Sequence, residues 1–266
     1  MIAGMDSPPT RRRQPRIPAQ RIAAALGVVA ALMGAWELLV RVRQIPPYLL
    51  PAPSQIIDVF LAAPDYFARA TWVTLSEALS GLALGLLVGI GVALAITFWS
   101  RLESGVLAVA ILVKATPIVA VAPLLIIWLG FGSLPKVILT GLMTFFPVLI
   151  SVHTGLRRVN PAIRALFHSL AANEWEYLVH ARWPSALPYL FAALKATAPL
   201  SLVGAVVAEW AGASRGLGRV MWLAYSDLNL PSLFAAVTCS ALMGMVLYEA
   251  IVRLESFIVF WDRPES

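Results

Sequence analysis

Six apolar runs, each long enough as a helix to cross a bilayer, constrain this chain more than any other feature. They lie at about 22–40, 75–99, 105–129, 137–156, 186–208 and 231–252. At about 1.5 Å per residue, some twenty residues cover the roughly 30 Å of hydrocarbon. Hydrophobic residues make up 60% of the chain and charged residues only 13%, which argues against a soluble domain. Backbone polar groups in lipid must be satisfied within their own segment. The expected class is therefore all-α, a polytopic integral membrane protein with about six transmembrane helices.

The charges lie mostly at the ends of the runs. A net charge of +6 would raise nucleic acid as a partner for a soluble protein, but here it reads as topology control. Residues 1–21 carry Arg11, Arg12, Arg13, Arg16 and Arg21 among prolines, and are expected to form a disordered basic tail. A signal peptide is the competing reading of the first apolar run. That run is longer than a signal core, contains Glu37 and lacks a small-residue cleavage site, so it reads as an uncleaved span. Six spans put both termini on one side, with 259–266 a second short tail. That side holds twelve Lys and Arg against six on the other, which makes both tails and the 157–185 loop cytoplasmic. The six are Arg41, Arg43, Arg69, Lys136, Arg215 and Arg219. Cys239 is the only cysteine, so no internal disulfide can form.

Several features interrupt or pattern the spans. Prolines 46, 47, 51 and 53 forbid a continuous helix after the first span, and Ser54 is placed to cap a short helix from Gln55 to Leu61. Gly81, Gly85 and Gly89 recur at every fourth position and line one face where another helix can approach closely. Lys114, Pro117 and Pro123 interrupt the third run, which should be kinked or broken. A mid-run lysine faces protein or water, either lining a translocation pathway or snorkelling to headgroups. Residues 209–230 are too polar to span and read as a re-entrant or surface half-helix. Within them, Glu209 and Arg215 could contact solute or a binding protein; an ordinary ion pair is the plainer reading. His153, His168 and His180 lack metal-ligand spacing, and no metal site is expected.

The longest segment able to form amphipathic helix outside the runs is 160–188. Asn160 followed by Pro161 is a helix start. Ile163, Leu166, Phe167 and Leu170 then recur on one face, with Arg164 and His168 off it. Asn173 with Glu176 three residues later forms a capping-box pattern for a second helix, which Pro184 is expected to end. Such a unit can bury its apolar stripe in the membrane surface or in a partner's groove.

This segment resembles the cytoplasmic loop of bacterial ABC-importer permeases, in the branch that handles sulfonates, nitrate, taurine and thiamine precursors. The letters that carry the resemblance are Ser169, Leu170, Ala171, Ala172, Asn173 and Trp175, then PSALPYLFAALK from Pro184 to Lys195. LPAPSQIIDVF (50–60), PIVAVAPLLIIWLGFG (117–132), FFPVLISVHTGLRRVNP (145–161) and GAVVAEWAGASRGLG (204–218) extend it in the right order over nearly the whole chain after the basic tail. The resemblance implies the type I ABC-importer permease fold in a bacterial inner membrane. It also implies a pore of two permeases, two separate cytoplasmic ATPases that receive the loop helices, and an extracytoplasmic solute-binding protein. No cofactor is expected on this chain: ATP is used by the partner, and no Gly-rich phosphate loop ending in Lys-Ser/Thr is present. The implied ATPase-coupling residues are Ile163, Leu166, Phe167, Ser169, Leu170, Ala171, Ala172, Asn173, Glu174, Trp175 and Pro184. Lys114, Pro117, Glu209 and Arg215 are the candidates for the translocation pathway.

Two departures stand out. Ala171 falls where the family motif has glycine, so the turn between the two loop helices is expected to be stiffer and more continuous than in relatives. Glu174 falls where the family often has Arg or another polar residue, which could alter pairing with the ATPase. Two other classes compete with the importer reading. A secondary transporter or channel working without an ATPase would usually carry internal repeats or several intramembrane charges. An intramembrane enzyme would need a clustered His–carboxylate or Ser–His set, which is not evident.

Overall fold

A computed structural model describes residues 19–261; 1–18 and 262–266 lie outside the described residues, while residues 19–21 of the expected basic tail are helical and open α1. The elements are α1 (Ala19–Val42), α2 (Pro53–Ala62), α3 (Pro64–Phe98), α4 (Glu103–Ala115), α5 (Ile118–Leu129), α6 (Leu134–Arg157), α7 (Pro161–Ser169), α8 (Glu174–Tyr177), α9 (Trp183–Trp210), α10 (Leu217–Ser226) and α11 (Leu230–Ile258). A 3₁₀ turn at Ser100–Leu102 precedes α4, and a π-helical turn at Leu178–Arg182 joins α8 to α9. No strand occurs among the described residues. Four stretches are long and apolar enough to cross a membrane, Pro64–Phe98, Leu134–Arg157, Glu174–Trp210 and Leu230–Ile258. The α4–α5 pair adds a broken fifth, bent by 94°. Helix α1 adds a further 24 residues.

The core is built on close approach. Gly81, Gly85 and Gly89 of α3 face Thr140, Gly141, Thr144 and Val148 of α6. A Cβ at Gly85 would lie 2.7 Å from the Gly141 carbonyl oxygen, and one at Gly89 would lie 2.8 Å from Val148 Cγ1. The pairing advances in the same direction along both helices, so α3 and α6 run parallel. On its other side α6 meets α9 antiparallel, with Gly155 against Ala186 and Gly204 against Thr140. Between helices surrounded by lipid there is little hydrophobic drive, and such backbone contact supplies the van der Waals attraction in its place.

Two ion pairs tie the spans together. Lys136 Nζ lies 2.5 Å from Glu77 Oε1, joining α6 to α3, and Lys195 lies 2.9 Å from Glu255, joining α9 to α11. The charge count places Lys136 in an outer loop; it sits instead in the first turn of α6 and is 9% exposed. The reason is its partner, a carboxylate fifty-nine residues earlier that only the α3–α6 seam brings near.

Two local expectations are corrected. Ser54 does not cap α2. That helix starts earlier, at Pro53, and the Gln55 side chain accepts from Ala52 N at 3.0 Å. Ser54 instead donates to Glu37 through its amide (3.0 Å) and its hydroxyl (2.8 Å), tying α2 to α1. Pro184 does not end the second loop helix: α8 runs through the π turn into α9 as one 37-residue stretch. A proline inside a helix removes a donor and crowds the preceding turn. The wider π turn just before it relieves that crowding, so the helix continues.

Filling the seam is expected to break it. Gly85→Leu should lower stability by ~2 kcal/mol or more, read as thermal unfolding in detergent, whereas Gly91→Leu, where an added Cβ meets nothing within 4 Å, should change little.

Candidate functional site

The amphipathic segment projects from one end of the α3/α6/α9 core. Asn160 Oδ1 accepts from Ala162 N at 2.9 Å and Pro161 occupies the first turn of α7, so both start signals operate. Ile163, Leu166 and Leu170 are 42%, 54% and 68% exposed, an apolar stripe that nothing in the chain covers among the described residues. Phe167 is turned inward, with its ring 5.5 Å from that of Tyr177. Ser169 spends its hydroxyl on the Leu166 carbonyl at 2.8 Å.

The joint after α7 overturns the expectation of a continuous, stiffened turn. Ala171 has φ +49°, the left-handed conformation that glycine adopts freely and alanine adopts at a cost of about 1–2 kcal/mol. The Ala172 amide bonds the Phe167 carbonyl and the Ala171 amide bonds the His168 carbonyl, both at 3.1 Å. This is a full Schellman stop. Helix α7 therefore ends abruptly, as a glycine would end it, with the strain carried by Ala171.

The chain restarts at once. Asn173 Oδ1 accepts from Glu176 N and Glu176 Oε2 accepts from Asn173 N, each at 2.8 Å, the reciprocal box that opens α8. Glu174 reaches Arg182 at 3.4 Å, and the Arg182 guanidinium lies 4.7 Å from the centre of the Tyr177 ring. Trp175 is 66% exposed. Ala172 is half-buried, and Pro184 lies past the π turn in the first turn of α9. Behind the segment, a cavity of about 690 Å³ is lined by Glu103, His153, Arg157, Arg164, Glu174 and Arg182, among others. His153 Nε2 lies 3.1 Å from Glu103 Oε1, and Arg157 binds the same oxygen.

The four pathway candidates do not come together. Lys114 ends α4 with its Nζ 4.7 Å from the centre of the Phe146 ring. It opens on a cavity of about 340 Å³ shared with Thr116, Met143 and Leu200. Eleven residues into α4, it sits roughly 16 Å from that helix's start, about half the hydrocarbon depth. Pro117 makes the adjacent break; Thr116 is extended (ψ 130°) because the residue before a proline avoids helical backbone.

Glu209 lies at the far end of α9, 1% exposed. It accepts from Thr74 Oγ1 at 2.7 Å and from Gly218 N at 2.5 Å, while Thr74 Oγ1 accepts from Leu217 N at 2.8 Å. It therefore clamps α3, α9 and the start of α10 together and does not pair with Arg215. Arg215 opens instead on a cavity shared with Arg69 and Arg219. Sequence reasoning misses the roles of Thr74, Glu77 and Lys136. A carboxylate at 77 inside an apolar run is itself a signal that a buried cationic partner has to exist.

With this geometry in place, residues 81–256 match the family described as Binding-protein-dependent transport system inner membrane component. The chain belongs to this family. It is 32% identical over 237 residues to the formylaminopyrimidine transport permease ThiX of Halalkalibacterium halodurans, covering 88% of this chain and 94% of that one. Identity to the riboflavin transport system permease RibX of Chloroflexus aurantiacus is 33%, covering 96% and 97%. To the taurine transport system permease TauC of Escherichia coli it is 28%, covering 95% and 94%. The fold is shared with the MetNI methionine ABC transporter in its inward-facing conformation, at a TM-score of 0.64 and 16% identity over 71% of this chain and 94% of that one.

The permease is thus a multi-pass inner-membrane subunit of an ABC importer for a small solute, a system that works with a solute-binding protein and an ATPase. A transporter working without an ATPase finds no support in these likenesses.

Relieving the strained joint is expected to slow local opening. Ala171→Gly should lower the exchange rate of the Ala172 amide hydrogen, roughly fivefold for ~1 kcal/mol. Asn173→Ala should do the reverse by a similar factor, through loss of the box.

Proposed function

We propose that α7 and α8 form the element through which the permease couples to its ATPase. Ile163, Leu166, Leu170 and Trp175 enter a cleft on that partner, while Phe167, Ser169, Ala171, Ala172, Asn173, Glu174 and Pro184 shape and hold the segment. One observation carries this reading: the apolar stripe of α7, uncovered among the described residues, adjoins α8, which is continuous with the α9 span for 37 residues. A displacement of α7 by a closing partner reaches the α9 span through α8 and the π turn. ATP is bound and used by the partner, and no cofactor is assigned to this chain.

In this reading both termini and the 157–185 loop face the cytoplasm, and two copies of the permease enclose the pathway. Lys114 and the Pro117 break line it at mid-depth, where an ammonium is costly in lipid and useful beside a passing solute. Glu209 serves the pathway indirectly, by fixing the outer end of α9, and Arg215 lies at its outer edge. The solutes named for the relatives, a formylaminopyrimidine, riboflavin and taurine, define the range proposed here: a small sulfonate-type anion or a heterocycle.

Leu170→Asp is expected to leave membrane insertion intact and to abolish both co-purification with the ATPase and transport. Survival of both sinks the coupling assignment. In a Cys239→Ser background, a cysteine replacing His168 should react with an impermeant maleimide only from the cytoplasmic side, and one replacing Arg215 only from outside. The opposite pattern reverses the topology.

A further inference from the structure

The cavity behind α7 gathers three cations from three elements, and none of them belongs to the α7 stripe. Arg157 comes from the last turn of α6, Arg164 from α7 and Arg182 from the π turn. Arg164 enters no ion pair among the described residues. Arg157 leans on Glu103, whereas Arg182 meets Glu174 only at 3.4 Å, and that carboxylate side chain is 73% exposed. Two further polar groups of the cavity are unmet. Tyr177 is 9% exposed, and its hydroxyl enters no hydrogen bond among the described residues. The Nδ1 atom of His153 is buried without a partner.

We infer that this cavity binds a phosphate group, carried by a cytoplasmic phosphomonoester or by an anionic lipid, and that the bound group fastens α7 to the core. Charge selects the ligand. Glu174 is free to turn to water, and three guanidiniums against the one carboxylate of Glu103 then leave a surplus of two positive charges. A phosphomonoester dianion matches that surplus, and so do the two phosphates of one cardiolipin head group. Guanidinium forks fit phosphate oxygens bidentately, and the Tyr177 hydroxyl supplies a further donor. The cavity, about 690 Å³, leaves room for the organic part of either molecule. Both sources reach it. It lies at the end assigned above to the cytoplasm, and Phe98 and Ser100 of its lining flank Trp99, which is exposed as a headgroup-level anchor would be.

The consequence is mechanical. Arg164 rides on α7, Arg157 on the end of α6 and Arg182 on the π turn between α8 and α9. An anion held by all three ties the α7 segment to two points of the core and stiffens the turn through which its movement reaches α9. Binding itself does not depend on the coupling role of α7; its effect on ATP hydrolysis rests on that role.

The test uses the full-length permease in phosphatidylcholine nanodiscs, with hydrogen exchange of the α7 and Ala172 amides as the readout. Glycerol 3-phosphate is added at constant ionic strength in one arm, and cardiolipin is built into the discs in the other. Exchange is expected to slow ~10-fold when the ligand stands at about ten times its dissociation constant, the factor set by linkage. Slowing by glycerol 3-phosphate identifies a free metabolite as the source, and slowing by cardiolipin alone identifies the lipid. Arg164→Gln and Tyr177→Phe are each expected to raise the ligand concentration for half the effect by ~10-fold. Tyr177→Phe keeps the ring that packs on Phe167, so its loss of binding reports the hydroxyl and not the fold. No slowing in either arm overturns the inference; so does equal slowing by succinate, or slowing that both variants retain in full. With the ATPase added, the ligand is expected to lower basal ATP hydrolysis in the native complex and not in Arg164→Gln. Protection of α7 with hydrolysis unchanged upholds the site and removes the coupling role assigned to α7.

Discussion

The rest of the structure depends on the backbone contact between α3 and α6. Lipid offers apolar side chains nearly the same environment as a neighbouring helix, so burial alone does not hold spans together. Gly81, Gly85 and Gly89 let α3 lie against the Thr140–Val148 stretch of α6 with no room for even a Cβ. That contact fixes α6 in register. It brings Glu77 to Lys136 and presents Gly155 and Thr140 to α9. An ammonium and a carboxylate at those positions are tolerable only because the seam makes them neighbours; either one alone in this environment would be strongly destabilising.

The order imposed by the seam extends to both ends of the permease. At one end the Glu209 carboxylate satisfies the first amides of α10 together with Thr74, so α3, α9 and α10 are held as a unit. At the other end α9 passes through the π turn into α8, and the Schellman stop at Ala171 sets α7 off at an angle with its apolar stripe outward. The connection between these ends is a single helical stretch. The π turn at Leu178–Arg182 interrupts its regular bonding and is the place where such a rod can flex.

What the residues alone reveal is whatever depends on local rules. Asn160, Pro161 and the Asn173–Glu176 box act through neighbours at most three residues away, and the glycine face of α3 through a simple period. The failures share a different cause. Helix propensity makes Ala171 look like a stiffener, yet the hydrogen bonds of the whole turn force it into a glycine conformation. Pro184 looks like a stop because a π turn leaves no mark in sequence. Ser54 looks like a cap because its true partner, Glu37, lies seventeen residues back on another helix. Lys136 looks like a loop residue because Glu77 is remote in sequence. In each case a tertiary partner or the geometry of a whole turn overrides a local preference.

The proposed coupling role requires the stripe of α7 to belong to a protein partner and not to the membrane surface, since amphipathicity alone serves either. A photo-activatable benzoylphenylalanine placed at position 166 in the intact complex distinguishes them directly. The expected result is a crosslink to the ATPase that is lost when the ATPase is removed. A crosslink to phospholipid that is the same with and without the ATPase would contradict the coupling role.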